Sequence, residues 1–226
     1  MLWQISVYCA VNCYALISGY VGINAQHKIS NILKLWIEVI FYTVGLTVLM
    51  KIIYPAEVGI KDIVYSFFPV STEQYWYFTA YVGVFLFMPF INMCIKRMEE
   101  KELIKLVWRL FFVFSLWQTL IVKQIFYTEE GYSFLWLIIL YILGATIQKL
   151  DLGARVKTKW LVLIWCGCIL GTYLSHVIIH YLTTIILGRS CGEYILLGYT
   201  SPTILMSAIL MLIVFSLATL ASISSV

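Results

Sequence analysis

Charge is what this sequence has least of. Of its 226 residues only 12% are Asp, Glu, Lys or Arg, while 62% are hydrophobic and 16% aromatic. An ordinary soluble domain is about 45–50% apolar and about 25% charged, so there is too little polar surface to cover a water-soluble globule of this size. A soluble enzyme, a disordered tail and a small secreted disulfide scaffold are excluded. Other absences narrow the chemistry. No CxxC pair at metal spacing occurs among Cys9, Cys13, Cys94, Cys166, Cys168 and Cys191. All but Cys191 lie in apolar stretches, where Cys acts as a small hydrophobe, and Cys191 stands in a polar loop without an obvious partner. There is no G-x-S-x-G elbow to mark a nucleophilic serine, no H-E-x-x-H for zinc and no glycine-rich phosphate cradle. No metal site is expected. A net charge of +4, spread over many loops, does not fit a nucleic-acid partner. No Lys or Arg precedes Lys28, so residues 2–22 lack the basic start of a removable signal peptide.

What is present is a series of apolar runs. A spanning helix takes about 20 apolar residues, and seven segments qualify: 2–22, 33–53, 75–95, 104–122, 133–148, 160–180 and 202–220. The expected fold class is all-α, a polytopic transmembrane helix bundle of about seven spans, in a single membrane domain over 1–226. Lys28, Lys34, Lys96, Arg97, Lys101, Lys105, Arg109, Lys149, Arg155, Lys157 and Lys159 follow the first, third and fifth segments. Only Lys51, Lys61, Lys123 and Arg189 lie at the opposite ends. The first group therefore faces the cytoplasm, Met1 emerges outside and the chain ends inside. With residues 221–226 stopping just past a helix, both ends read as cut, and a piece of a longer protein is expected. In the external loop 54–74, residues 60–69 mix charge with Phe and Tyr, as an interfacial helix does.

Several residues could carry chemistry. In the first segment Asn12 is costly in lipid and should point into the bundle, and Ser18-Gly19 offers a small face for close helix approach. Helix packing, with Asn12 as polar glue, explains both equally well. At the outer mouth of the third segment, Tyr75, Trp76 and Tyr77 read either as an interfacial aromatic belt or as a stacking platform for a sugar or acyl group. Pro89, three residues before Asn92, should kink that helix and free carbonyls that need partners. His176 and His180, four apart on one helical face, could share a metal or a proton, but no third ligand is near in sequence. His27 sits beside Lys28. Lys28 and Lys34 could meet lipid headgroups or the phosphates of a cofactor.

Three stretches together resemble the membrane acyltransferase 3 family. Residues 12–20, Asn-Cys-Tyr-Ala-Leu-Ile-Ser-Gly-Tyr, are similar to its second-helix signature, which ends Phe-x-x-x-Ser-Gly-Phe/Tyr. Residues 75–83 with Pro89-Phe90-Ile91-Asn92 look like the fourth helix of members from Gram-positive bacteria. Tyr199-Thr200-Ser201-Pro202 matches a later landmark. The resemblance implies a bundle of about ten helices in which the seven segments are helices two to eight, and an enzyme of the bacterial plasma membrane. Such enzymes move an acyl group, most often acetyl from acetyl-CoA, onto a hydroxyl of a cell-surface polysaccharide or other glycan acceptor. It implies Asn12, Ser18, Gly19, Tyr20, Tyr75, Trp76, Tyr77 and Asn92 as substrate-lining residues. Lys28 and Lys34 would lie near the CoA phosphates, as point charges where many members have Arg. The family's catalytic histidine lies on a first helix, and His27, His176 and His180 do not match it. The chain is thus expected to be an incomplete, inactive core that binds lipid, acyl-CoA and glycan. The alternative from the residues alone is a small transporter or membrane scaffold. Against ion-coupled transport, Glu38 is the only acid within a span.

Overall fold

The structure is a computed structural model that describes residues 2–123, 125–155, 157–189 and 196–224. Cys191 lies outside the described residues. In chain order the α-helices are α1 (Leu2–Tyr8), α2 (Ala10–Gly22), α3 (Ile29–Ile53), α4 (Ile60–Tyr65), α5 (Trp76–Arg97), α6 (Glu100–Phe111), α7 (Gln118–Ile121), α8 (Phe134–Lys149), α9 (Leu152–Arg155), α10 (Thr158–Leu187) and α11 (Pro202–Ser224). A π-helical turn, Phe112–Trp117, joins α6 to α7, and one turn of 3-10 helix covers Glu129–Gly131. No strand occurs among the described residues. The all-α polytopic bundle is therefore what the chain forms. In bilayer hydrocarbon a backbone must satisfy its own hydrogen bonds, and among open structures only the helix does.

All seven apolar segments are helical, with informative differences at their ends. Among the described residues, five helices are long and apolar enough to cross a membrane, the first counted through the single-residue break at Cys9. Phe134–Lys149 is apolar but shorter, and α11 is apolar over Pro202–Leu217. The amide of Cys13 still reaches the Cys9 carbonyl across that break, at 3.0 Å. The fourth segment starts at Glu100 rather than 104, because the Glu102 carboxylate accepts the Glu99 amide at 3.0 Å and caps the turn. The sixth runs to Leu187, seven residues beyond the expected end, and closes on Gly188 in left-handed conformation. At about 1.5 Å per residue this 30-residue helix is about 45 Å long, against about 30 Å of hydrocarbon. It must tilt or project beyond the bilayer. α5 continues through Pro89. A short helix, α4, forms inside residues 60–69, its first amide held by Asp62 through the Gly59 N–H at 2.7 Å.

The chain forms two compact units. One comprises Gln26–Pro89, the other Met1–Ala25 with Phe90–Val226. In the Gln26–Pro89 unit α4 packs on the end of α3. There the Lys51 ammonium donates to the carbonyls of Pro55, at 2.7 Å, and Val58, at 2.5 Å, and so closes the turn after α3. Most of α3 carries apolar side chains outward, Phe41 being 72% exposed, as a helix facing lipid does.

The larger unit is built round α8. Ten of its sixteen residues are buried, from Trp136 to Ile147. That explains how a helix only about 24 Å long sits in a membrane protein: other helices cover it, not lipid. α2 lies along it, α11 packs on both α2 and α10, and α1 contacts α10. α2 and α8 touch backbone to backbone. A Cβ added to Gly19 would fall on the carbonyl oxygen of Tyr141, and one added to Gly144 would fall on that of Leu16. At the lower end of α8 the Lys149 ammonium donates to the carbonyls of Ile95 (2.7 Å), Lys96 (3.0 Å) and Met98 (2.5 Å). A cation thereby caps the negative end of α5.

Candidate functional site

Two polar nodes interrupt the apolar interior of the larger unit, one at each end of the α2–α8 contact. The first centres on Asn12, whose side chain is fully buried. Its Nδ2 donates to the Tyr199 carbonyl at 2.8 Å, and its Oδ1 accepts from the Trp136 indole Nε1 at 3.1 Å. The next carbonyl, of Thr200, accepts from the buried Ser115 hydroxyl at 2.7 Å. Ser201 Oγ donates to the Leu196 carbonyl at 2.9 Å. Three side chains thus pin the turn before α11. Ser115 belongs to the π-helical turn, which displaces it from the regular α position, and such bulges recur at functional sites. One turn on, buried Gln118 accepts from the Thr128 hydroxyl at 2.8 Å and anchors the loop 125–132.

On this anchored frame three tyrosines converge. The rings of Tyr8 and Tyr199 stack, with centroids 4.8 Å apart and planes 22° from parallel. Tyr132 meets Tyr199 edge-on at 5.2 Å and 64°. Burial, then the hydrogen bond and nearby charge of Tyr132, push the Tyr199 phenol well above the ordinary tyrosine range, so it stays a neutral donor. Glu130 lies close enough to Tyr8 to act on it electrostatically. The loop bends sharply here: Tyr127, Glu129, Glu130 and Gly131 all have left-handed φ. Gly131 is needed for space as well, because a Cβ there would collide with that of Tyr199.

The second node centres on Tyr141, whose hydroxyl donates to Asn92 Oδ1 at 3.0 Å. Asn92 Nδ2 donates to the Gly22 carbonyl at 2.9 Å. A Cβ on Gly22 would lie 2.6 Å from the Tyr141 hydroxyl. The last turn of α2, the last turns of α5 and the middle of α8 are thus tied by one tyrosine and one asparagine.

The residues expected at the site are therefore distributed as follows. Asn12, Gly19 and Asn92 stand in the larger unit against α8, Gly19 and Asn92 both at Tyr141. Ser18, half-buried, donates to the Tyr14 carbonyl of its own helix at 2.9 Å. Tyr20 is half-buried on α2. The other five belong to the Gln26–Pro89 unit. Tyr75 precedes α5, while Trp76 meets Tyr77 edge-on at 5.5 Å and Tyr77 stacks parallel to Tyr81 at 6.4 Å. Lys28 and Lys34 are exposed at the start of α3, where the unsatisfied amides of the first turn add positive potential. In that unit His27 packs on Phe85, with centroids 4.2 Å apart. His176 and His180 lie with parallel rings 6.5 Å apart, inside α10 rather than near its end. No three His, Cys, Asp or Glu side chains come together among the described residues.

Sequence reasoning did not single out Trp136, Tyr141, Ser115, Gln118, Thr128, Tyr8 or Tyr132. The available signal was a polar atom inside or beside an apolar run, since lipid tolerates such groups only where the protein satisfies them.

A family model described as an acyltransferase domain matches residues 1–224. No curated protein and no solved structure matches.

Proposed function

The chain belongs to the acyltransferase 3 family of membrane acyltransferases, and on that premise we propose that it takes an acetyl group from cytoplasmic acetyl-CoA to a hydroxyl of a carbohydrate at the surface of a bacterial plasma membrane. What supports the reading is the match to the acyltransferase domain across residues 1–224. Lys28 and Lys34, on the side that carries most of the Lys and Arg, would hold the phosphates of the donor. Tyr75, Trp76 and Tyr77, at the opposite end of their segment, would offer aromatic surface to the acceptor, and in the larger unit Asn12, Ser18, Gly19, Tyr20 and Asn92 would line substrate. The proton of the acceptor hydroxyl would go to a neutral histidine poised near physiological pH. His27, His176 and His180 do not match the family's histidine, so the base is assigned to a helix other than those of residues 1–226.

The test is the ester itself. Disrupting the gene for this chain should lower alkali-labile acetate on the surface polysaccharide, and unchanged ester content would overturn the proposal. Replacing Lys28 and Lys34 with Gln should weaken acetyl-CoA binding about five- to tenfold each, the scale of one charge-assisted contact. Equal binding by the variants would remove these lysines from the donor site. O-acetyl transfer by purified residues 1–226 alone would sink the assignment of the base to another helix.

A further inference from the structure

The convergence of Tyr8, Tyr132 and Tyr199 is not what a membrane-interface belt requires. Belt tyrosines spread round a bundle with their hydroxyls directed at headgroups and water, whereas these three pack ring on ring, Tyr8 stacked on Tyr199 and Tyr132 edge-on to it. Nor is it a consequence of core packing, since Tyr132 remains 42% exposed. The frame beneath is built to hold the cluster still. The carbonyls of Tyr199 and Thr200 are each caught by a buried side chain, Asn12 and Ser115. The loop bearing Tyr132 keeps four consecutive or near-consecutive residues left-handed, three of them not glycine. Left-handed backbone is strained for L-residues and persists where surrounding contacts over-determine it, as at ligand clamps. By the Lys/Arg distribution these loops are on the outer side, opposite the donor.

We propose that Tyr8, Tyr132 and Tyr199, with Glu130 beside them, form a further acceptor subsite, which binds a pyranose ring of a surface glycan; this rests on the carbohydrate-acceptor reading above. A pyranose offers an apolar C–H face and a rim of hydroxyls. The exposed Tyr132 ring takes the face. Phenols can both donate to and accept from sugar hydroxyls, and the Glu130 carboxylate accepts from them. Rigid aromatic side chains provide such contact area at little cost in conformational entropy.

The experiment is a binding titration of the 226-residue chain in lipid nanodiscs with chitotetraose and maltotetraose, followed by tryptophan fluorescence, with glycerol as the non-pyranose control. One of the two sugars should bind and glycerol should not. Tyr132→Ala should weaken that binding about tenfold or more, as loss of an aromatic anchor does. Tyr132→Phe, which keeps the ring and the fold, should weaken it about fivefold, the scale of one hydrogen bond. Phe41→Ala, at an exposed ring on α3 with no part in the site, should bind as the parent does. The proposal is overturned if neither sugar binds, if both Tyr132 variants bind as the parent does, or if Phe41→Ala weakens binding as much as Tyr132→Ala. Sugar binding that depends on Tyr132 in a protein whose gene disruption leaves surface ester unchanged would keep the subsite and discard the transferase.

Discussion

At the scale of single residues, Asn12 bears the most structure per atom. Its amide serves one donor from α8 and one acceptor from the turn before α11, and it is wholly buried. Asn12→Leu preserves volume but orphans the Trp136 indole N–H and the Tyr199 carbonyl, at about 1–3 kcal/mol each. A fall of several degrees in unfolding temperature in detergent should follow, and an unchanged melt would show that neither contact persists in solution. Tyr199 supplies a pH test. Its phenol is held above the ordinary value by burial and then by Tyr132. An unfolded tyrosine ionises near about pH 10. This group's contribution to stability is therefore complete below that pH and is lost as pH rises towards the raised folded value, because the unfolded chain gives up its proton first. Tyr199→Phe should make the fall in melting temperature above about pH 10 shallower than in the parent, and equal slopes would contradict the burial of that phenol. Asn12 could be read from the sequence as buried glue because a lone amide in an apolar run has few other solutions. Its partners could not, since Trp136 and Tyr199 lie 124 and 187 residues away.

At the scale of elements, the α2–α8 crossing decides the core. Gly19 and Gly144 each admit the other helix's backbone, and neither tolerates a methyl group without a shift of the pair. Gly19→Ala and Gly144→Ala should each destabilise by about 1–3 kcal/mol, the usual cost of overpacking. Gly45, Gly167 and Gly171 meet nothing within 4 Å of a built Cβ. Alanine at those three should be neutral or stabilising by up to about 1 kcal/mol, since glycine in an open helix interior only adds unfolded-state entropy. Thermal unfolding of the five variants checks the contrast, and the five melting alike would refute the close approach. Ser18-Gly19 signalled such a contact in the sequence. Gly144 did not stand out, because a glycine amid Leu, Ile and Ala also suits a lipid-facing helix. The π-helical turn at 112–117 had no signature in the sequence. It arises where Ser115 reaches the Thr200 carbonyl, a contact made only after the chain has folded back.

At the scale of the whole molecule, the orientation follows from charge. Lys61 should react with a membrane-impermeant amine reagent on intact cells, whereas Lys101 should react only after the cells are opened, and the reverse pattern would invert the topology. The number, order and helical nature of the apolar segments were determined by the sequence alone. Hydrocarbon leaves the backbone no partner but itself, so twenty apolar residues have essentially one conformation to adopt. Composition likewise excluded a soluble protein, and the quoted motifs placed the chain in an acyltransferase family that matches it over residues 1–224. Tertiary structure alone decided which polar residues meet. A helix's own hydrogen bonds are local and thus encoded locally, while the partners of Asn12, Tyr141 and the Tyr8–Tyr132–Tyr199 cluster come from elements far apart in the chain. Their meeting depends on which helix faces approach, and that is settled by the joint packing of several helices rather than by any one stretch of sequence.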